Sequence, residues 1–277
     1  MTRNVKLQKA LGGFVGLTTL SNCASASSKT VARSSRTART RRVLQLLLLL
    51  WLPAVAHAQF LYTVIENGTI TNGTITITGY YGPGGAVTIP STINVGGVNL
   101  PVTVIHSQAF YLNNNVTSVD IPDSITNIEA WAFQLCGVLT NVTMGKGVIS
   151  LGDEAFAQCQ SLTTITVNAA NPAYCSVNDV LFNKNKTILI QFPVGNGATT
   201  YNIPDGVASI ADDAFSAWTG LTNITMPNSV ISIGDRAFNS LRLTSITLST
   251  NLASIGLNAF GGAPLTSVTL PDSVRQR

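Results

Sequence analysis

Apolar and polar residues alternate along short segments of the chain, and each segment is followed by a turn signal. In Leu221–Pro227 (LTNITMP) the alternation has a two-residue period, which is typical of a strand with one buried face. The Pro-Asn-Ser sequence at 227–229 predicts a turn, after which Val230, Ile231 and Ile233 return apolar side chains to the interior. No segment carries a long 3.6-residue period, so helix is expected only as short helical turns.

An Ala-Phe pair recurs beside these segments and defines a repeat. The pairs are separated by 23, 23, 59, 23 and 22 residues and occupy positions 109–110, 132–133, 155–156, 214–215, 237–238 and 259–260. One such unit cannot bury its own apolar face, whereas stacked units share a continuous core, so at least about three repeats are needed. The sequence therefore predicts a mainly β solenoid whose strands advance by ~4.8 Å per repeat.

The repeat carries the motif Ile-Gly-x-x-Ala-Phe-x-x-Cys followed by Leu-Thr-x-Ile-Thr-Leu-Pro, as in Leu151–Cys159 and the residues after it. Over about residues 101–274 this motif resembles the BspA-type, or Treponema pallidum-type, leucine-rich repeat. The resemblance implies a leucine-rich-repeat solenoid with repeats of about 23 residues, and attachment at the cell surface to proteins, matrix or other cells. The chain departs from the motif in that only Cys136 and Cys159 occupy the cysteine column, and the glycine is replaced by His106, Glu129 and Ala211.

Residues 1–58 are predicted to be a basic, disordered leader plus a secretory signal peptide. Arg41 and Arg42 precede an apolar run from Val43 to Leu52 and an Ala-His-Ala sequence at 56–58, which is the order of a signal peptide with cleavage after Ala58. The mature chain would then begin at Gln59. An uncleaved anchor is the alternative, but the ten-residue run is shorter than the roughly 20 residues that span a bilayer, so no membrane span is expected in the mature chain.

The rest of the chain divides into two predicted regions. Residues 59–100, rich in Thr, Ile, Val, Gly and Asn, predict short strands that form an N-terminal β cap over the open end of the solenoid. Residues 101–277 are the solenoid, with a variant repeat at about 168–203 whose runs Val180–Phe182 and Ile188–Phe192 predict a hairpin that protrudes or widens one turn. The last repeat stops before its own Ala-Phe pair, so truncation within a repeat is expected.

The net charge of +4 is unevenly distributed along the chain. Nine of the 16 basic residues and none of the 12 acidic residues lie in residues 1–58, which leaves 7 basic and 12 acidic residues, a net charge of −5, in the remainder. The predicted mature chain therefore has no basic stripe that would bind phosphates. Nucleic acid is excluded as a partner on this ground.

Paired acidic residues precede several Ala-Phe pairs and are the first candidates for chemistry. Asp153-Glu154 and Asp212-Asp213 stand at this position, as does Asp235-Arg236. General acid–base catalysis needs carboxylates that converge on a cleft with perturbed pKa values, whereas acids in a repeated turn favour solubility. These residues are therefore assigned to solvated turns, and no catalytic residue, metal site or cofactor is predicted.

Cysteine chemistry is not predicted either. Cys136 and Cys159 hold equivalent positions in adjacent repeats and are expected to be buried thiols that pack as small apolar groups. A disulfide between them is the alternative, because neighbouring strands lie within its Cα range of ~4.4–6.8 Å. The predicted mature chain has one histidine, His106, which is too few ligands for a zinc site.

The remaining candidate is the outward face of the repeat strands, which is rich in Thr, Ser and Asn. Such faces are the usual binding surfaces of repeat proteins. Thr also suits exposed strand positions for its own sake, and the face lacks the aromatic anchors of tight protein interfaces, so a surface without a ligand is the alternative. The predicted binding residues are Thr140, Asn141, Thr143, Thr163, Thr164, Thr166, Thr222, Asn223, Thr225, Thr244, Ser245 and Thr247.

These features favour a secreted or cell-surface, non-enzymatic module for binding or adhesion. Its partner would be an unknown protein or glycan at a cell surface or in a matrix. One alternative is a structural spacer that presents a missing C-terminal domain. Another is a carbohydrate-active β-solenoid enzyme, which would require three or more charged groups in one groove.

Overall fold

The computed structural model describes residues 59–65, 72–217, 220–239 and 242–274, and the predicted leader and signal peptide lie outside these ranges. The described residues form nineteen β-strands and no α-helix, and none forms a helix that is long and apolar enough to cross a membrane. The strands are β1 Phe60–Ile65, β2 Thr74–Tyr80, β3 Gly85–Thr88, β4 Thr92–Val95, β5 Val98–Ile105, β6 Val116–Ile121, β7 Asn127–Ile128, β8 Asn141–Met144, β9 Ser150–Leu151, β10 Thr164–Val167, β11 Tyr174–Val177, β12 Val180–Asn183, β13 Ile188–Gln191, β14 Thr200–Asn202, β15 Ser209–Ile210, β16 Asn223–Thr225, β17 Ser232–Ile233, β18 Ser245–Thr247 and β19 Ser254–Ile255.

Each regular repeat contributes one strand to each of two parallel sheets. Before the variant repeat, sheet 1 has the order β1-β2-β5-β7-β9, with β4 paired to β5, and sheet 2 has the order β10-β8-β6-β3. After it, sheet 3 has the order β11-β12-β13-β15-β17-β19, and sheet 4 has the order β14-β16-β18. The predicted mainly β solenoid is therefore confirmed.

The Ala-Phe segments form a third side, built from turns rather than helix. The residue directly before each Ala-Phe pair has a left-handed backbone, with φ between 51° and 62°. Amides of one turn donate to carbonyls of the next, as from Phe110 N to Ala132 O at 2.8 Å and from Phe133 N to Ala155 O at 2.8 Å. The prediction of short helical turns is wrong in the described residues, because a left-handed residue in each turn prevents the helical ladder from propagating.

Aromatic side chains stack along the interior, one per turn. Tyr80, Phe110, Phe133 and Phe156 form the first column, with ring centroids 4.7–5.4 Å apart. A second column, with centroids 5.0–5.4 Å apart, contains Phe192, Phe215, Phe238 and Phe260. The buried apolar residues likewise form two clusters, which meet at Val180 and Leu181.

The variant repeat separates these two halves. Its apolar runs form β12 and β13, which pair antiparallel, and β11 pairs antiparallel with β12. Strand β13 then pairs in parallel with β15, and Phe192 N donates to Ala214 O at 2.8 Å as in the regular turns. The 59-residue gap between Ala-Phe pairs thus holds one 36-residue turn, ending at Phe192, and one regular 23-residue turn.

The residues of the predicted cap region also form strands. Strand β1 pairs antiparallel with β2, and β4 pairs antiparallel with β5. Strands β2 and β3 already pair in parallel with β5 and β6 of the next turn. Sheet 1 therefore begins with an antiparallel strand, β1, whereas sheet 2 begins with the parallel strand β3.

Candidate functional site

Eight of the twelve predicted binding residues lie on one face of sheets 2 and 4, in strict register. Ser118, Asn141 and Thr164 are direct neighbours on β6, β8 and β10, and Asp120, Thr143 and Thr166 form the next column. On sheet 4 the corresponding columns are Thr200, Asn223, Ser245 and Asn202, Thr225, Thr247. We call the exposed side chains of these columns the strand face.

The strand face is polar because burial alternates along each strand. In β8 the side chains of Val142 and Met144 are buried, while Asn141 and Thr143 are exposed. In β16 only Ile224 is buried. Asp120 is the one charged residue in these columns, so the strand face is an almost neutral surface of hydroxyl and amide groups.

Four of the twelve predicted residues have a structural role at the rim of this face. The hydroxyl of each donates to a threonine backbone carbonyl in the preceding turn, at 2.8–3.2 Å. These bonds reinforce the stacking of turns, and each hydroxyl that donates in this way has no proton left for a ligand. The four are Thr140, Thr163, Thr222 and Thr244.

The twelve residues do not form one continuous patch. Six lie on or directly before strands of sheet 2, and six on or directly before strands of sheet 4. The variant repeat separates the two sheets. The edge strand β10 is covered from that side, where Ile165 N donates to Asp179 O at 3.2 Å and Val167 N to the Ser176 hydroxyl at 3.0 Å. Sequence reasoning missed Thr200 and Asn202 of β14, whose Thr-Tyr-Asn-Ile-Pro sequence follows the alternating strand pattern.

The paired acids do not all lie in solvated turns, and that expectation is wrong for two of them. The Asp213 side chain is fully buried, and that of Glu154 is 14% exposed. Both contact Arg236, whose Nη2 lies 2.5 Å from Glu154 Oε1 and 2.9 Å from Asp213 Oδ2. Gln134 donates to the other Glu154 oxygen at 2.8 Å. We call Glu154, Asp213 and Arg236 the carboxylate–arginine cluster.

Burial dominates the electrostatics of this cluster. Desolvation, followed by the charge of Asp213, raises the pKa of Glu154 above its ordinary value, although Arg236 acts in the opposite direction. Desolvation also raises the pKa of Asp213, against the hydrogen bonds and charge of its partners. Asp153 and Asp212 are exposed, as expected.

A cleft of about 360 Å³ lies beside this cluster, where sheet 1 ends and sheet 3 begins. Leu151, Ile188 and Ile190 supply apolar walls, and Asp153, Glu154 and Asp212 are also among the residues that line it. Three acidic residues therefore lie along one groove. No group of three or more His, Cys, Asp or Glu side chains in the described part of the chain has a geometry that could hold a metal ion.

In the described part of the chain Cys136, Cys159 and Cys175 are free thiols, as predicted for the first two. Cys136 and Cys159 are buried, and each sulfur donates to a phenylalanine carbonyl, Phe110 O at 3.0 Å and Phe133 O at 3.1 Å. A hydrogen bond with the Cys136 side chain, together with burial, raises the pKa of the Cys159 thiol well above its ordinary value. His106 is exposed and lies 3.7 Å from Glu129, its Nε2 to Oε2.

Comparison with known proteins identifies the repeat. Residues 91–198 and 194–276 match the BspA type leucine rich repeat region, in six copies. No curated protein matches the chain.

Several solved structures are similar. The T. pallidum leucine rich repeat protein is 25% identical, with 74% of this chain and 87% of that chain covered and a TM-score of 0.48. A leucine rich cell surface protein from Faecalibacterium prausnitzii A2-165 is 24% identical, with coverages of 77% and 82% and a TM-score of 0.43. The pneumococcal vaccine antigen PcpA is 22% identical, with coverages of 78% and 75% and a TM-score of 0.46. On the strength of the six matched repeats, which extend over residues 91–276, the chain belongs to the BspA-type leucine-rich-repeat family.

Proposed function

We propose that this protein is a secreted or cell-surface, non-enzymatic binding module that attaches to a protein or glycan ligand through its strand face. The observation that carries the proposal is the register of that face: exposed hydroxyl and amide side chains repeat on consecutive strands at the same two positions. Such an array presents regularly spaced donors and acceptors to an extended, uncharged ligand.

The array is also rigid before any ligand arrives. Backbone ladders hold β6, β8 and β10 together, and the threonine hydroxyls at the rim add side-chain bonds between turns. A preformed surface loses little conformational freedom on binding, so more of its interaction energy appears as affinity. Adhesion follows as the function when the partner is fixed to a matrix or to another cell.

The test is a binding screen of the full chain against immobilised matrix proteins and a glycan array. The double variant Asn141→Lys/Thr143→Lys changes two exposed residues of β8. The control Ile149→Lys/Ser150→Lys changes two exposed residues of the same repeat on the sheet 1 side. We expect the first variant to weaken binding at least about tenfold and the control to leave it unchanged. Equal effects, or a screen with no ligand, would overturn the strand face as the site.

A second candidate function is glycoside hydrolysis at the cleft beside the carboxylate–arginine cluster. It is favoured by three acidic residues that line one groove and by the raised pKa of Glu154, since such enzymes pair a protonated and an ionised carboxyl group. Against it, Glu154 bonds to Arg236 and Gln134. An assay on plant and bacterial polysaccharides decides the matter: hydrolysis that is lost in Glu154→Gln and in Asp212→Asn would support an enzyme.

A further inference from the structure

The first two turns carry exposed aromatic side chains on the turn side of the solenoid, away from the strand face. Tyr81 is 78% exposed and Tyr111 is 39% exposed. They directly follow Tyr80 and Phe110, whose rings stack 5.4 Å apart, so they hold the same position in successive turns. Both line a cleft of about 320 Å³. We call this the tyrosine cleft.

The polar groups of the tyrosine cleft are almost all amides and hydroxyls. Gln108, Asn113, Asn114 and Asn115 line it, and none of its lining residues carries a charge. A ligand with phosphate, sulfate or carboxylate groups would find no cation here, and a basic ligand would find no carboxylate. The lining therefore selects for a neutral ligand that forms many hydrogen bonds.

Two of these amides are held with their donors unused. Asn113 Oδ1 accepts from the amides of Asn115 and Val116, both at 3.0 Å, and Asn114 Oδ1 accepts from Gly137 N at 3.1 Å. These bonds fix which end of each side chain is oxygen. Neither NH₂ group donates to a described residue, so two oriented donor pairs remain for a ligand.

The backbone around the cleft is preformed. Phe110 N and Leu112 N donate to carbonyls of the next turn at 2.8 and 3.1 Å, and Gln108 and Leu112 have left-handed φ values of 62° and 57°. The Tyr81 ring lies against Gly79, where an added Cβ would be 3.6 Å from Tyr81 Cε2. A site whose residues are already in place binds without a large ordering cost.

We propose that the tyrosine cleft binds a neutral carbohydrate, the terminal one or two sugars of a glycan. A pyranose ring has a face of C–H bonds that packs on a tyrosine ring, and its hydroxyl groups accept from amide NH₂ donors. The cleft lies at the lower end of the ~300–1,000 Å³ range of small-molecule pockets, with aromatic walls and a few placed polar groups. This site is separate from the strand face and does not depend on it.

The test is calorimetric titration of the full chain with neutral trisaccharides of glucose, mannose, galactose and N-acetylglucosamine, and with sialyllactose as the charged comparison. We expect at least one neutral sugar to bind and sialyllactose to bind no better than lactose. Tyr81→Ala and Tyr111→Ala should each weaken the affinity at least about tenfold. Leu257→Ala, which truncates a residue that is 70% exposed in another turn, is the matched control and should change nothing.

Asn114→Asp separates recognition from folding. It keeps the oxygen that accepts from Gly137 N but replaces the NH₂ donor, so the thermal midpoint should stay unchanged while sugar affinity falls about fivefold or more. Ile149→Lys/Ser150→Lys, on the sheet 1 side of the solenoid, should retain sugar binding. The proposal is overturned if no neutral trisaccharide binds at millimolar concentration, or if sugar binding survives in Tyr81→Ala/Tyr111→Ala. A matrix protein that needs these tyrosines when no sugar binds would replace the carbohydrate with a protein partner.

Discussion

Arg236 forms an ion pair with Glu154, 82 residues earlier in the sequence and on the other side of the variant repeat, with Nη2 2.5 Å from Oε1. The same guanidinium bonds to Asp213 through Nε and Nη2, both at 2.9 Å. One side chain therefore connects the last regular turn of the first half to two turns of the second half. The two apolar clusters have this polar link in addition to the hairpin between them.

Arg236→Gln should destabilise the protein by about 2 kcal/mol. The change leaves the buried Asp213 carboxylate and the mostly buried Glu154 without their cation. Breaking a fully buried pair costs ~3–5 kcal/mol and an exposed pair ~0–1 kcal/mol, and Arg236 is 38% exposed. Urea unfolding measures the loss. Arg242→Gln, at an exposed residue, is the control, and an equal effect in both variants would contradict a specific role for the pair.

Stability should fall as the pH rises through the mildly acidic range, because the pKa values of Glu154 and Asp213 are raised on folding. An acidic group whose pKa is raised on folding binds its proton more tightly in the folded protein. Its contribution to stability is therefore largest at a pH below its pKa in the unfolded chain. The ordinary pKa, which applies to the unfolded chain, is 3.8 for Asp and 4.5 for Glu. This contribution to stability is lost as the pH rises through the pKa values that the two groups have in the folded protein.

Asp213→Asn isolates this effect, since the amide cannot ionise. We expect the free energy of unfolding of the unsubstituted protein, relative to that of the variant, to decrease as the pH rises above about 4. Urea titrations across this range measure it. If the unsubstituted protein instead became more stable relative to the variant as the pH rises, Arg236 would lower the pKa of Asp213 more than burial raises it.

Truncating an interior ring of the aromatic column should cost more than truncating a terminal one. Phe133 is fully buried and stacks on two neighbours, Phe110 and Phe156, so Phe133→Ala should cost about 3–5 kcal/mol. Phe260 is half-buried and stacks on Phe238, so Phe260→Ala should cost clearly less. Urea unfolding of both variants provides the comparison, and equal losses would argue against nearest-neighbour stacking as the source of stability.

Asn171 should be the most sensitive polar residue at the start of the variant repeat. Its fully buried side chain donates to Gly145 O and Val148 O and accepts from the amides of Ala173 and Tyr174, all at 2.8–3.0 Å. Asn171→Ala leaves these backbone groups without partners and should cost about 2–4 kcal/mol. Asn185→Ala, at an exposed asparagine of the hairpin turn, should be neutral. A thermal midpoint that is unchanged in Asn171→Ala would contradict this role.

Export through the predicted signal peptide would give the mature protein a defined N-terminus. If residues 1–58 are removed as a leader and signal peptide, mass spectrometry of the secreted protein should find Gln59 at the N-terminus. Replacing Ala56 and Ala58 by bulky residues should block processing, because signal peptidase requires small residues there. Secreted protein that retains residues 1–58 would contradict the predicted cleavage.

Sequence reasoning could place the core and the strand face because both follow the repeat period. Phe156, Cys159, Leu162, Ile165 and Val167, which the repeat assigns to the interior, are all buried. The columns of the strand face follow from the same alignment, since residues at equivalent positions become strand neighbours. Period and polarity were sufficient for these features.

Features that depend on how turns stack across the irregular region could not be predicted. The length of the 36-residue segment does not determine how many turns of the solenoid it forms. The short distance between Glu154 and Arg236 therefore could not be predicted. The left-handed residue before each Ala-Phe pair was also missed, because Gln108, Trp131 and Glu154 share no side-chain chemistry that favours such a φ. The turn is imposed by the ladder to the next turn rather than by local propensity.

The short distance between Arg236 and Glu154 limits where further repeats could be inserted into the chain. Repeat proteins lengthen by in-frame duplication, and each added unit moves its flanks apart by ~4.8 Å. A unit inserted between the turns of Phe156 and Phe238 would carry Arg236 out of range of Glu154 and leave that mostly buried carboxylate without its cation. Repeats inserted before Gln134 or after Phe238 would leave the carboxylate–arginine cluster intact. The number of turns between Glu154 and Arg236 is therefore fixed, whereas the number of repeats on either side can change.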